Sequence, residues 1–197
     1  MVTWAKFRDR TTGRELHFWN TPLDHAVHFA REKSAELIRQ RIALLPPGAP
    51  LFLVGDFNSV ARENRAYEVL TRDAGLTGTW FTAHERRNQD ANSFTGFRPL
   101  LREGKRVGWI LARGAMDVRA MDAVTFQQGG RWPSDHLPIM TWVTLRDPSE
   151  TRRRLRCDRE KTVSPLEQDD PHMRRYRFIR VHGSYSPNAG LARLALP

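Results

Sequence analysis

The run Leu51-Phe52-Leu53-Val54 constrains the fold more than any other part of the chain. Pro50 precedes it and Gly55 follows it, and four apolar side chains in succession leave no polar face. A strand of this kind is buried on both sides, so other elements must cover each face. The flanking sequence offers such elements. Residues 2–7 and 15–20 are strand-like and are joined through Thr11-Thr12-Gly13-Arg14, the pattern of a β-hairpin. With Asp24 as N-cap, Ala26, Phe29, Ala30, Leu37, Ile38, Ile42 and Leu45 form one apolar helical stripe, which Pro46-Pro47-Gly48 ends. A second helix is expected at about 63–74, closed by Gly75. Residues 78–83, 107–111, 118–126 and 137–145 are further strand candidates, and 84–92 reads as a polar loop. Strands mixed with two helices and a hairpin predict an α/β or α+β layered domain.

The 197 residues, 40% of them apolar, suffice for one ordinary core and exclude a wholly disordered chain. The most apolar stretch, 42–55, holds Pro46, Pro47 and Pro50 and is too short for a membrane span. Cys157 is the single cysteine, which excludes an intrachain disulfide, and no His/Cys set at zinc spacing accompanies it. Val2-Thr3-Trp4-Ala5-Lys6-Phe7 lacks the apolar core of a signal peptide, so the default expectation is a cytoplasmic chain. The formal charge of +10 divides evenly: residues 1–147 carry 21 basic and 16 acidic side chains, and 148–197 carry 11 and 6. The second segment is built of charge blocks such as Arg152-Arg153-Arg154 and Glu167-Gln168-Asp169-Asp170. It reads as a basic, irregular, mobile tail beyond a boundary near Asp147-Pro148, with 176–182 as a candidate short strand.

Three segments could carry chemistry. Gly55-Asp56-Phe57-Asn58 directly follows the buried strand, where a rigid element holds side chains that still reach solvent. Asp56 and Asn58 offer a carboxylate and an amide at one point. An ordinary Asx turn would use the same residue types. Ser134-Asp135-His136 precedes the last strand candidate, and there Asp135 could hold a cation while His136 contacts a phosphate or moves a proton. An exposed loop with Asp135 bonding a backbone amide is the plainer alternative. Asn20-Thr21-Pro22-Leu23-Asp24-His25 leads into the first helix, whose N-terminus could receive an anion with help from His25. Asp24 as a simple cap, with His25 on the first turn, explains the same residues.

Together these segments resemble the endonuclease/exonuclease/phosphatase family. The resemblance rests on Phe18-Trp19-Asn20-Thr21-Pro22-Leu23-Asp24-His25, Leu53-Val54-Gly55-Asp56-Phe57-Asn58, Asn92-Ser93-Phe94-Thr95-Gly96-Phe97, Arg106-Val107-Gly108-Trp109-Ile110-Leu111 and Ser134-Asp135-His136-Leu137-Pro138, in that order over about residues 2–145. It implies a partial two-sheet β-sandwich flanked by helices, lacking the N-terminal part of the family domain and followed by the irregular tail. It also implies hydrolysis of phosphodiester or phosphomonoester bonds with Mg²⁺ or Mn²⁺. By motif, Asp56 orients or deprotonates the attacking water, Asn58 binds the reacting phosphate, Asp135 helps hold the metal, and His136 contacts the phosphate or transfers a proton. Asn20 and His25 are carried over as substrate contacts.

The same resemblance exposes three departures. The family's early strands, with an Asn and a metal-binding Glu, have no counterpart before Met1. Its Asn-Thr-His reads Asn20-Thr21-Pro22, and its Asp that orients the histidine is replaced by Gly108. Residues acting as a unit are non-additive when lost, so impaired turnover is expected. An incompletely covered sandwich that aggregates or relies on a partner is expected too. The expected partner is a phosphoester substrate, nucleic acid among the candidates, and the sequence leaves the oligomeric state open. The alternative function is a non-catalytic nucleic-acid-binding remnant that acts through its tail and the basic loop Arg98, Arg102, Lys105 and Arg106.

Overall fold

The computed structural model describes residues 1–146; the expectations for 148–197 lie outside the described residues. The chain forms two sheets with helices against one of them. The strands are β1 (Thr3–Arg8), β2 (Glu15–Asn20), β3 (Leu51–Asp56), β4 (Thr77–Gly78), β5 (Glu85–Arg87), β6 (Gly108–Arg113), β7 (Met116–Ala123) and β8 (Ile139–Leu145). The helices are α1 (His28–Ala43), α2 (Arg65–Glu68), which continues as a π-helical turn over Val69–Asp73, and α3 (Thr79–Thr82). One sheet runs β1-β2-β3-β6-β4 and the other β5-β7-β8.

The apolar run becomes the middle strand of the larger sheet. β3 pairs in parallel with β2 and antiparallel with β6. Alternation then sends its side chains to two different cores. Phe52 and Val54 join Leu16, Ile110, Met121, Ile139 and Val143 between the sheets. Leu51 and Leu53 join Trp19, Ile38, Ile42, Leu70 and Trp109 under the helices. All four are at most 3% exposed. Burying each contributes about 1.5–3 kcal/mol, which makes this strand the keystone of both layers. A parallel β2–β3 pair requires a crossover, and α1 supplies it. The hairpin, the first crossover and the strands at β6, β7 and β8 agree with the sequence pattern.

Several elements differ from expectation, each for a physical reason. Asp24 does not cap α1. Its Oδ1 accepts from the backbone N–H groups of Ala26 (2.8 Å) and Val27 (2.7 Å) in an Asx turn, and the helix begins only at His28 with Val27 at the cap position. His25 therefore lies outside the helix. The buried stripe is Arg31, Ala35, Ile38 and Ile42, while Phe29 and Leu37 are 65% and 55% exposed. Arg31 can be buried because its Nη1 donates to the carbonyls of Asp24 (2.9 Å) and His25 (3.3 Å). Residues 78–83 form the one-turn helix α3 rather than a strand. Thr79 Oγ1 donates to Ile110 O (2.7 Å) and holds the start of that turn against β6. The expected polar loop at 84–92 contains β5, an exposed strand of three charged residues that pairs in parallel with β7.

A charged cluster ties β7 to its surroundings. The side chain of Asp117, 13% exposed, meets His84 Nε2 at 2.9 Å, Arg119 Nε at 2.9 Å and Arg146 Nη2 at 3.0 Å. The hydrogen bond to His84 and the charges of Arg146 and Arg119 hold the Asp117 carboxyl below the usual carboxylate range. A lowered folded-state value means that the stabilisation is complete above the unfolded value, near 4, and is lost as pH falls through the folded value. Asp117→Asn is expected to lower stability at neutral pH by about 1–2 kcal/mol. It should also flatten the acid limb of a plot of melting temperature against pH; an unchanged acid limb would contradict the assignment.

Candidate active site

The C-terminal end of β3 and the segment before β8 converge at the end of the sandwich. Gly55 makes this possible. Its φ is +145°, and a Cβ placed on it would lie 1.9 Å from Thr21 O, so the chain passes Thr21 more closely than any side chain allows. Thr21 N donates to Val54 O (3.0 Å) and Leu23 N donates to Asp56 O (2.9 Å), which zips the 20–23 segment alongside β3. Beyond this point Asp56 turns outward. Its Oδ1 accepts from Asn58 N (2.9 Å), an Asx turn that sets Asn58 at φ +48°. Asp56 Oδ2 faces His136 Nε2 at 3.6 Å, with the side chains 22% and 21% exposed. At 3.6 Å the pair is too long for a direct hydrogen bond.

Other contacts fix His136. Its ring lies against that of Phe94, with centroids 4.9 Å apart and planes at 54°, and the two backbones form a bridge. Asp135 O accepts from Thr95 N (2.7 Å), Gly96 N (3.0 Å) and Thr95 Oγ1 (3.0 Å), while Leu137 N donates to Ser93 O (2.7 Å). His136 N donates to Ser134 Oγ (3.2 Å), which in turn donates to Asp135 Oδ1 (3.3 Å). The segment Ser93-Phe94-Thr95 is thus the bed on which Ser134-Asp135-His136 rests. Its role as a positioning element had no assignment from sequence. The signal was present in its short hydroxyl and amide side chains, which bond backbone readily.

The remaining expected residues are placed as follows. Asn58 Nδ2 donates to Leu23 O (2.9 Å), so part of the amide is spent on the fold. Asn20 ends β2 with an exposed side chain, next to buried Thr21. His25 is exposed, and among the described residues no hydrogen bond or ion pair joins it to Asp56, Asn58 or His136. Asp24 is held below the ordinary carboxylate value by the backbone N–H groups of Val27 and Ala26. Gly108 sits opposite Asp56 in the β3–β6 register and leaves His136 without a second carboxylate there. A Cβ at Gly108 would meet Ile139 Cγ1 at 3.5 Å and Gly55 O at 3.8 Å, ordinary contact distances. Among the described residues no three His, Cys, Asp or Glu side chains are arranged to hold a metal ion.

The family model of the endonuclease/exonuclease/phosphatase family matches residues 2–136. The chain belongs to this family. Comparison with curated proteins found no match. Among solved structures, a family protein of Bacteroides thetaiotaomicron is similar at 25% identity and a TM-score of 0.67, over 75% of this chain and 55% of that one. A mannosyl-6-phosphatase of the same organism is similar at 25% identity and TM-score 0.65, over 73% and 57% of the respective chains. A family protein of Bacteroides vulgatus reaches 28% identity and TM-score 0.66, over 74% and 55%. The chain thus spans somewhat more than half the length of these relatives. The mixed α/β architecture of two sheets with flanking helices is that of the family fold. The family is generally dependent on a divalent metal.

Two outcomes test this geometry. Gly55→Ala is expected to cost roughly 2–4 kcal/mol in chemical denaturation, because neither the φ nor the Thr21 contact tolerates a methyl group. Mn²⁺ titrated into the chain without any phosphate ligand and followed by electron paramagnetic resonance is expected to bind with a Kd on the order of 10⁻³ M or weaker. A micromolar site would show that a fuller ligand set exists.

Proposed function

We propose that the chain acts as a phosphoesterase of the family type, hydrolysing phosphomonoester or phosphodiester bonds slowly at the Asp56–His136 pair. The observation that carries this reading is Asp56 Oδ2 facing His136 Nε2 across 3.6 Å, one held at the end of β3 and the other on the Ser93–Thr95 segment. At that separation no atom fits between them, but both polar atoms can reach a single oxygen of a water or phosphoryl group seated beside the pair at hydrogen-bond distance from each. In this reading Asp56 orients the attacking water and takes its proton. The imidazole of His136 donates to a phosphate oxygen, and the remaining amide N–H of Asn58 helps to seat the same group. Asn20, the register partner of Val54 two residues before Asp56, is a candidate contact to the substrate, and His25, outside the paired strands, is a weaker one. A mannosyl-6-phosphatase among the similar structures supports a phosphate ester as the substrate class.

Mg²⁺ is the ion the family suggests, with Asp135 as a candidate ligand. The described residues offer Asp56 and Asp135 without a third ligand, so they do not fit a protein cage for the ion. No step is assigned to it. Slow turnover follows from the same geometry. Without a carboxylate at Gly108, nothing on β6 fixes the tautomer of His136 or raises its basicity, and Pro22 cannot donate where a histidine is expected. The nucleic-acid-binding alternative loses part of its basis in the loop. Arg102 is paired with Asp90 (2.9 Å) and Lys105 with Glu103 (2.8 Å), which neutralises two of its four cations locally.

Hydrolysis of p-nitrophenyl phosphate and bis-p-nitrophenyl phosphate, with and without added Mg²⁺, tests the proposal. Asp56→Ala is expected to remove at least 10²-fold of the rate. Gly108→Asp, whose Cβ would make only ordinary contacts, should raise the rate and shift the basic limb of its pH profile. An activity equal in wild type and Asp56→Ala would place the chemistry elsewhere.

A further inference from the structure

Three arginines gather around one turn of the fold without a carboxylate partner. The turn is Trp80-Phe81 in α3, between β4 of the larger sheet and β5 of the smaller. The guanidinium of Arg106 lies over the Trp80 ring, 4.3 Å from its centroid, and that of Arg62 over the Phe81 ring, 3.5 Å from its centroid. Arg86 Nη1 donates to Ala83 O (3.0 Å) and Trp80 O (3.4 Å). Ala61 N donates to Arg106 O (3.2 Å), which ties the loop that bears Arg62 to the start of β6.

Among the described residues, none of the three forms an ion pair. Other surface arginines do: Arg65 with Glu68, Arg87 with Glu85, and Arg102 with Asp90. Glu103 pairs with Lys105, and Glu63 contributes to the field at Lys105. Burial first, and then the like charge of Arg86, push the Arg106 guanidinium below its ordinary value, so Arg86 and Arg106 repel one another in the absence of an anion. Arg106 gives a single hydrogen bond, Nη1 to Gln89 O (3.1 Å), and its Nε is buried without a partner. A guanidinium stacked flat on an aromatic ring keeps its planar fork fixed and presents an edge to an oxyanion.

The place of this cluster in the fold narrows its ligand. Arg106 lies two residues before Gly108, about 7 Å of extended chain, and Gly108 is the register partner of Asp56. A small cavity of about 20 Å³ lies between α3 and the start of β6, with Arg106, Trp80, Phe81 and Gly108 in its wall, so Arg106 and the register partner of Asp56 border the same space. We propose that Arg62, Arg86 and Arg106 form an anion-binding subsite for a second phosphate group covalently linked to the one at Asp56. The linkage to Asp56 rests on the phosphoesterase reading; the anion site itself does not. Phosphate of this kind comes either from a phosphodiester chain or from a small bisphosphorylated substrate.

The test uses the full chain and two pairs of probes in titration calorimetry. Fructose 1,6-bisphosphate is compared with fructose 6-phosphate, and an eight-residue oligothymidylate with thymidine 5′-monophosphate. At least one doubly or multiply phosphorylated probe is expected to bind ten-fold or more tightly than its single-phosphate counterpart. Arg62→Gln/Arg86→Gln should erase that advantage; because it also removes the contact on Phe81 and the bonds to Trp80 O and Ala83 O, circular dichroism at the assay temperature checks that the double variant is folded. Arg106→Lys keeps the charge, loses the fork, and should erase part of it. If the oligonucleotide is the ligand, the slope of log K against log salt should fall by about 1 to 2 in the double variant. The probe that shows the arginine-dependent advantage identifies the source. Equal affinities for both members of each pair, or an advantage unchanged in the arginine variants, would overturn the subsite. Asp56→Asn separates the two proposals, since it should abolish hydrolysis and keep arginine-dependent binding. Arginine-dependent binding in a wild type that hydrolyses no phosphoester would remove the enzyme reading and leave the subsite standing.

Discussion

The passage of Gly55 against Thr21 is the contact on which the rest of the arrangement depends. A parallel β2–β3 pair would normally diverge at its C-terminal end as the chains leave for their next elements. Here the 20–23 segment continues beside β3 through the hydrogen bonds Thr21 N to Val54 O and Leu23 N to Asp56 O, and only a residue without Cβ leaves room for it. That continuation buries Leu23 in the helix-side core and gives Asn58 Nδ2 its acceptor. It also holds Asp56 at the end of a strand whose first four residues, Leu51 to Val54, are buried. The rigidity of the carboxylate is therefore inherited from packing on two sides.

The opposite wall is built by different means. His136 does not stand at the end of a buried strand; it is held by a mesh of backbone acceptors and short side chains around Ser93, Thr95 and Ser134, with the Phe94 ring against it. The site therefore joins a stiff half, drawn from the core, to a half fastened by polar bonds at the surface. Such a division places the Asp56 carboxylate on the rigid, core-derived part of the framework and leaves the imidazole on the side held by loops.

The sequence was legible where one energetic term dominated. β3 was readable because continuous apolar character has a single outcome in a layered domain, and the hairpin because Gly13 sits in a turn between two strand-like runs. The start of α1 was not, because Asp24 had two local uses, helix cap or Asx turn, and the choice was made by the burial of Arg31 on the carbonyls of Asp24 and His25. α3 has the β-branched and aromatic composition of a strand, and its turn is held by Thr79 bonding β6, a contact between residues far apart in the chain. β5 has three charged residues and is a strand only because the edge of β7 offers it partners. At the site, the motif residues Asp56 and His136 could be named from sequence. That they face one another follows from two sheets stacking, which no local pattern encodes.

Gly108 carries a consequence of another kind. Its φ lies outside the left-handed region, a Cβ there would meet Ile139 and Gly55 only at ordinary contact distances, and the residue stands opposite Asp56. Every glycine codon becomes an aspartate or glutamate codon by a change of its middle base alone. A carboxylate opposite Asp56 is thus a single point mutation away in the gene, at a position where the first atom of the new side chain already finds ordinary contacts.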